Sequence, residues 1–347
     1  MGAPGVLTVS LGAIVANWRF LGGVQPGQAV AAVMKADAYG LGAEAIAPAL
    51  RDAGCAHFFV AHKAEGLALR EVLGPGPMIA VLNGFSPDLG CDIWPVLNSL
   101  ADVRAWAGLG RPALLQLDTG MARLGLPPAE QRQLAGEPGL LAGIDLRYVM
   151  THMACADEPA HPLNAIQRDR FVAAVFPGVK RSLAASSAMF LGAGFASDLA
   201  RPGAALYGLN PTPGHKNPMQ PVVTLEAPIV QLREITAGTP VGYGATWVAK
   251  RDSRIATVAA GYADGYLRSL SGQGWAMLAG VRVPLVGRVS MDLLTFDVTD
   301  APRPNPGDRV VLIGQGVSAD DLGLSAGTIG YEMLTGLGPR YRRVWVA

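Results

Sequence analysis

The sequence predicts an α/β chain: an N-terminal (β/α)8 barrel of the TIM type, followed by a mainly antiparallel β domain. Three observations carry that expectation. Short apolar runs recur up to Leu209, with amphipathic or Ala-rich stretches between most of them. Polar and ionisable residues collect at the carboxyl ends of those runs, at Lys35, Asn83, Asp118, His152, Ser186 and Ser187. After Leu209 the texture changes to β-rich sequence with few helical patterns.

Taken in order, Ser10 reads as the N-cap of a helix whose apolar face is Leu11, Ile14, Val15, Trp18 and Leu21. Its hydroxyl suits one of the unpaired N–H groups at a helix start. AVAAVMK, residues 29–35, is apolar on both alternations and reads as a buried parallel strand. Further strands are expected at 57–62, 78–83, 96–98, 113–118, 146–152, 181–186 and 204–207. Helical stretches at 65–72 and 164–175 lie between some of them. That count and spacing favour a closed barrel over an open doubly wound sheet. PTPGHKNPMQP has no periodicity and reads as a linker, which sets the domains at 1–219 and 220–347. The residues before Ser10 are candidates to pair with the second domain.

Composition excludes several function classes. The 347 residues are 50% hydrophobic and 16% charged, enough for two domains with a sizeable core. Lys+Arg is 28 against Asp+Glu 27, which argues against nucleic acid or an anionic membrane surface as a partner. No apolar run approaches the ~18–20 residues of a membrane span. Cys55, Cys91 and Cys155 show neither disulfide nor metal-ligand spacing. The opening MGAPGVLTVS has neither the basic nor the long apolar region of a leader. Together these predict a reduced, cytoplasmic setting and no metal.

Lys35 leaves an apolar strand, an unusual place for lysine. A partly desolvated lysine loses proton affinity and becomes a nucleophile able to form a Schiff base. Equally, its stem can lie along the strand exit while the ammonium reaches water. Ser186, Ser187, Gly203 and Ala204 place hydroxyls and backbone N–H groups at the ends of the last two expected strands, where such barrels bind phosphate. Tyr39 adds a phenol. A reactive lysine beside a phosphate cradle points to pyridoxal phosphate (PLP).

Here the chain resembles the bacterial alanine racemases, two-domain PLP enzymes of fold type III. The likeness runs from LTVSLGAIVANWRFL to GYEMLTGLGPRYRRVW. AVMKADAYGLG is similar to that family's PLP-lysine signature. LDTGMARLGL, MTHMACADE, RPGAALYGLNP, VGYGATW, AAGYADGYLR and VGRVSMD follow in the family's order.

The resemblance implies roles. Lys35 is the lysine that carries PLP, and Tyr262 is the second catalytic base. Arg201 faces the pyridine nitrogen and His152 stands behind it. Tyr39, Ser187, Gly203, Ala204 and Tyr331 fall at phosphate-binding positions. Arg123 and Met291 fall at substrate-carboxylate contacts. Tyr262 and Met291 come from the partner subunit, which implies a homodimer with composite sites. The implied activity is interconversion of L- and D-alanine, supplying D-alanine for peptidoglycan. A serine-preferring or broad-specificity racemase is the near alternative. PLP decarboxylases share the domain pair but are less similar at GYADGY and RPGAALYGL. Barrel-only PLP carriers lack the domain after residue 220.

The implied chemistry suits these residue types. Racemisation removes a proton from one face of Cα and returns one on the other, so two bases are needed. Free lysine and tyrosine, with pKa values near ~10, must be tuned downward to act near neutrality. Desolvation does this for Lys35, and the Arg123 charge is the natural agent for Tyr262. Arg201 donates only, which favours an unprotonated ring nitrogen and a weaker electron sink. Asp264 and Asp292 read as structural carboxylates. One position departs from the family: many members carry a lysine, often carbamylated, two residues before the Asp of LDTGM, where this chain has the neutral Gln116.

Overall fold

A computed structural model describes residues 5–86, 89–90 and 92–347; Cys91 and the opening residues 1–4 lie outside the described residues. The chain divides into two compact units. One is Ile14–Gln220. The other joins the described residues through Ala13 to Pro221–Ala347.

Ile14–Gln220 is a parallel barrel. Strands Ala32–Val33, His57–Val60, Met78–Val81, Trp94–Leu97, Pro112–Gln116, Asp145–Met150 and Lys180–Ser182 hydrogen-bond in that order. Met78–Val81 is buried at every position, as expected of a strand covered on both faces. The first predicted strand is broken at Ala31. Its front half, Ala29–Val30, pairs in parallel with Leu199–Ala200, and its back half pairs with Phe58 and Phe59. Ala31 N–H donates to Ala200 O (2.9 Å), Val33 N–H to Pro202 O (3.1 Å) and Arg201 N–H to Ala184 O (2.8 Å), which closes the ring.

The eighth strand is not at 204–207. Those residues form a 3-10 turn, Ala204–Tyr207, and the strand is Leu199–Ala200. Pro202 and Gly203 end it. Pro202 has no N–H to give a ladder, and the amides of Gly203 and Ala205 turn to Ser186 Oγ instead (3.1 and 3.2 Å).

The second unit is a mainly antiparallel sheet. Val6–Ser10 lies between Val223–Ile235, antiparallel, and Arg342–Val346, parallel. The long strand Val223–Ile235 continues to pair with Arg309–Ile313 and Ser253–Val258. Leu7, Val9, Leu225, Ala256, Phe296, Val310 and Leu312 are buried within this unit. Ser10 Oγ accepts from Ala13 N–H (3.1 Å) at the start of helix Leu11–Val24. Among the described residues no helix is long and apolar enough to cross a membrane.

Candidate active site

At the carboxyl rim of the barrel, Lys35 follows strand Ala32–Val33 by two residues. The turn that it enters is unusual. Ala36, Asp37, Ala38 and Tyr39 all adopt left-handed helical angles, with φ of 53°, 53°, 55° and 58°. For L-residues this costs roughly 1–2 kcal/mol each, so the turn persists only because its surroundings hold it. Ala38 N–H donates to Met34 O (2.8 Å) and Gly42 N–H to Asp37 O (3.0 Å). Asp37 Oδ1 accepts from Ala43 N–H (2.7 Å), and Glu65 Oε1 accepts from Ala36 N–H (2.6 Å).

Lys35 is exposed as a residue, yet partial desolvation of its ammonium by the rim lowers its pKa; Arg123 adds to the effect and Glu65 opposes it. Tyr39 is buried and stacks near Tyr207 at 4.7 Å between ring centroids. Its hydroxyl lies over Gly203, so close that a Cβ there would stand 2.3 Å from it. Ser187 and Ala204 each begin a short 3-10 turn at the same rim.

Arg201 is buried, and burial alone pulls its pKa down to about 10, which leaves it cationic at neutral pH. It donates to Ser182 Oγ and to Thr151 O (2.5 Å). Neither partner is a carboxylate. His152 is more strongly affected: desolvation, then Arg201, Arg123 and Lys35, push its pKa down to about 3. It is a neutral imidazole over the physiological range.

Arg123 sits exposed on a loop built by its own sequence. Asp118 Oδ1 accepts from the amides of Gly120 (2.9 Å), Met121 (2.9 Å) and Ala122 (3.1 Å). Asp118 N–H donates to Leu126 O (3.0 Å). Gly125, at φ 97°, allows the fold-back; a Cβ there would meet Asp118 N and Gln116 Cγ at 2.9 Å. Gln116 Nε2 donates to Leu124 O (3.2 Å). The neutral amide thus fastens the backbone next to Arg123.

The second unit holds Tyr262, Met291 and Tyr331. Tyr262 is 42% exposed and Met291 53%. Their turns are stitched together: Tyr262 N–H donates to Ser290 O and Ala263 N–H to Met291 O, both at 3.0 Å. Gly261 makes this closeness attainable, since a Cβ there would stand 2.3 Å from Met291 O. Beneath the turn, buried Asp264 takes a two-pronged bond from Arg340, Nε at 2.6 Å and Nη2 at 2.8 Å. Arg340 Nη1 reaches Asp292 Oδ1 at 2.7 Å. Tyr331 is half-buried in helix Gly330–Thr335.

Sequence reasoning missed Glu65, Thr151, Ser182 and Arg340. For Glu65 a signal existed: it stands three residues after His62 and makes the carboxylate half of a capping box. Arg340 lies inside the quoted C-terminal motif, but nothing in its neighbours names its partners.

A lysine of lowered pKa on the carboxyl rim of a parallel barrel, with a buried guanidinium bonded to a hydroxyl and a carbonyl rather than a carboxylate, defines a barrel enzyme suited to Schiff-base chemistry. Comparison with known proteins narrows the class. Residues 9–211 match the family model "Alanine racemase, N-terminal domain", and residues 222–345 match "Alanine racemase, C-terminal domain". The chain therefore belongs to the alanine racemase family. It is 53% identical to an alanine racemase of Acidiphilium cryptum, over 97% of this chain and 98% of that one. It is 48% identical to a catabolic alanine racemase of Mesorhizobium japonicum, over 99% and 94%. Its fold is similar to the crystal structure of the Bartonella henselae alanine racemase with covalently bound pyridoxal phosphate, with a TM-score of 0.95 and 40% identity, covering 99% of this chain and all of that one.

Proposed function

We propose that this chain interconverts L- and D-alanine, with PLP held covalently on Lys35. The observation that carries the reading is the place of Lys35, on the barrel rim just after strand Ala32–Val33 and at the entrance of a strained turn, where partial desolvation lowers its pKa. Full-length similarity to proteins named alanine racemase supports the substrate.

The residues fit the cofactor. Gly203 leaves the space that a Cβ would fill beneath the Tyr39 hydroxyl, so Tyr39, Ser187, Gly203 and Ala204, with Tyr331, are assigned to the phosphate. Arg201 offers donors only, which suits a ring nitrogen without a proton. His152, neutral behind it, adds no competing charge. When bound, the cofactor supplies the electron sink that acidifies the amino acid's Cα–H. Arg201 weakens that sink and so restrains side reactions that need a stronger one.

Two groups move the proton. Lys35 Nζ takes and returns it on the D-alanine face. Tyr262 Oη does so on the L-alanine face. Arg123 and Met291 receive the substrate carboxylate. Tyr262 and Met291, exposed on adjoining turns, serve the barrel of a partner subunit in a homodimer. The D-alanine formed would feed peptidoglycan synthesis in the cytoplasm.

The test is α-proton exchange in deuterated water against a panel of L- and D-amino acids. Exchange confined to the two alanines is expected. Deuterium entry with loss of carbon dioxide would indicate a decarboxylase, and no exchange at all a carrier. Borohydride reduction should place the cofactor adduct on Lys35; an adduct on Lys63 would overturn the lysine assignment.

A further inference from the structure

We propose that Glu65 is a positioning residue for Lys35: it ties the entrance of the left-handed turn to the neighbouring helix and so sets where Lys35 Nζ stands. Glu65 lies in helix Lys63–Leu73, which follows strand His57–Val60. One carboxylate oxygen accepts from Ala61 N–H (2.8 Å) and His62 N–H (2.9 Å), the usual work of an acidic residue in a helix's first turn. The other oxygen leaves its own helix and accepts from Ala36 N–H at 2.6 Å.

Ala36 is the residue immediately after Lys35 and the first of the four left-handed residues. Ala38 N–H reaches back across the turn to Met34 O, and the exit is held by Gly42 and Ala43 on Asp37. At the entrance, the bond from Ala36 to Glu65 is charge-assisted and short, the kind that holds a strained backbone most firmly. The carboxylate also acts through space. Around the Lys35 ammonium, Arg123 from the 118–126 loop disfavours the proton, and Glu65 favours it. His152, from the loop after Asp145–Met150, is neutral. Glu65 therefore sets the position of the amine and limits how far its proton affinity falls.

The inference rests on Lys35 being the cofactor-bearing amine, which borohydride trapping tests by itself. Two variants of the holoenzyme separate positioning from helix capping. Glu65→Asp keeps the charge and the cap but is one methylene short of Ala36. Glu65→Gln loses the charge and can accept on one side only. Hydrogen exchange of the amides across residues 34–43 should accelerate in both, by about tenfold, the factor for losing one charge-assisted hydrogen bond. The amides of helix Lys63–Leu73 should be unchanged in Glu65→Asp. D-alanine α-proton exchange should slow more than L-alanine exchange, with kcat falling and KM little altered. In Glu65→Gln, the acid limb of D-alanine exchange should also move to lower pH, because the ammonium has lost its favourable partner. Wild-type exchange across 34–43 in Glu65→Asp, together with an unchanged ratio of D- to L-alanine exchange, would reduce Glu65 to a helix cap and overturn the proposal. Should Glu65→Gln fail to fold, Glu65→Asp decides alone. A borohydride adduct elsewhere than Lys35 would defeat the lysine assignment, while the exchange arm still reads the hold on the turn.

Discussion

The two units present their proposed bases in opposite ways. The barrel holds Lys35 beside a strained left-handed turn, where partial desolvation and then Arg123 lower its pKa. The β unit holds Tyr262 on an exposed turn, fixed in place by the ion pairs of Arg340 with Asp264 and Asp292. One base owes its lowered proton affinity to the barrel rim that carries it. The other owes its place to the ion pairs beneath its turn. Tuning and positioning are separable, and substitutions should separate them.

The largest effects should come from the bases. Lys35→Ala removes the cofactor's attachment and one base, so racemisation in both directions should be lost. Tyr262→Phe should retain the cofactor spectrum and slow L-alanine exchange by roughly 10²–10⁴-fold, the usual worth of a general base, while D-alanine exchange persists. Loss confined to D-alanine exchange would reverse the assignment of faces. Mixed Lys35→Ala and Tyr262→Ala subunits should regain activity, because one site of each heterodimer has both bases. No recovery after proven subunit exchange would remove the composite site.

Gly203→Ala sharpens the comparison from the barrel side. A Cβ there would stand 2.3 Å from the Tyr39 hydroxyl and 3.0 Å from its Cζ. Tyr39 must move. Cofactor affinity should fall, read by titration of the apoenzyme, with little change in thermal stability. Unchanged affinity would take Tyr39 and Gly203 out of the phosphate cradle.

On the β side, Arg340→Ala should loosen the Tyr262 turn and leave the buried Asp264 carboxylate without its guanidinium. The melting temperature should drop, and L-alanine exchange should slow more than D-alanine exchange. Arg340→Lys should recover less than half of the loss, since an ammonium cannot bridge two carboxylates with a planar fork. Equal slowing of both half-reactions would mean that the ion pairs serve stability alone.

These two holding devices were also the least legible parts of the sequence. The apolar runs mark seven of the barrel strands, most clearly where a strand such as Met78–Val81 is buried at every position. The eighth, Leu199–Ala200, is too short to leave a periodic signal, and the apolar stretch after Pro202 drew the reading forward. The motifs carried the site residues through resemblance. ADAY, however, gives no hint of handedness, since no glycine marks the four left-handed positions. Glu65 acts on an amide 29 residues away and Arg340 on carboxylates 76 and 48 residues away. Such partners are set by how the strands stack in space, and no local spacing records them.

The last effect is on stability rather than rate, and it belongs to a residue that does not react. The folded chain keeps His152 neutral, with its pKa down at about 3 against 6.5 for a free imidazole. The unfolded chain therefore binds the extra proton first as pH falls. The stability held by the neutral ring is whole above pH 6.5, declines as pH drops below it, and is gone once pH passes the folded value near 3. The full span is on the order of a few kcal/mol. Holoenzyme melts should therefore steepen in pH dependence below 6.5, and His152→Asn, which cannot titrate, should flatten that slope while melting alike near pH ~8. Parallel slopes in the two proteins would show that the acid sensitivity comes from the carboxylates and that His152 contributes none of it.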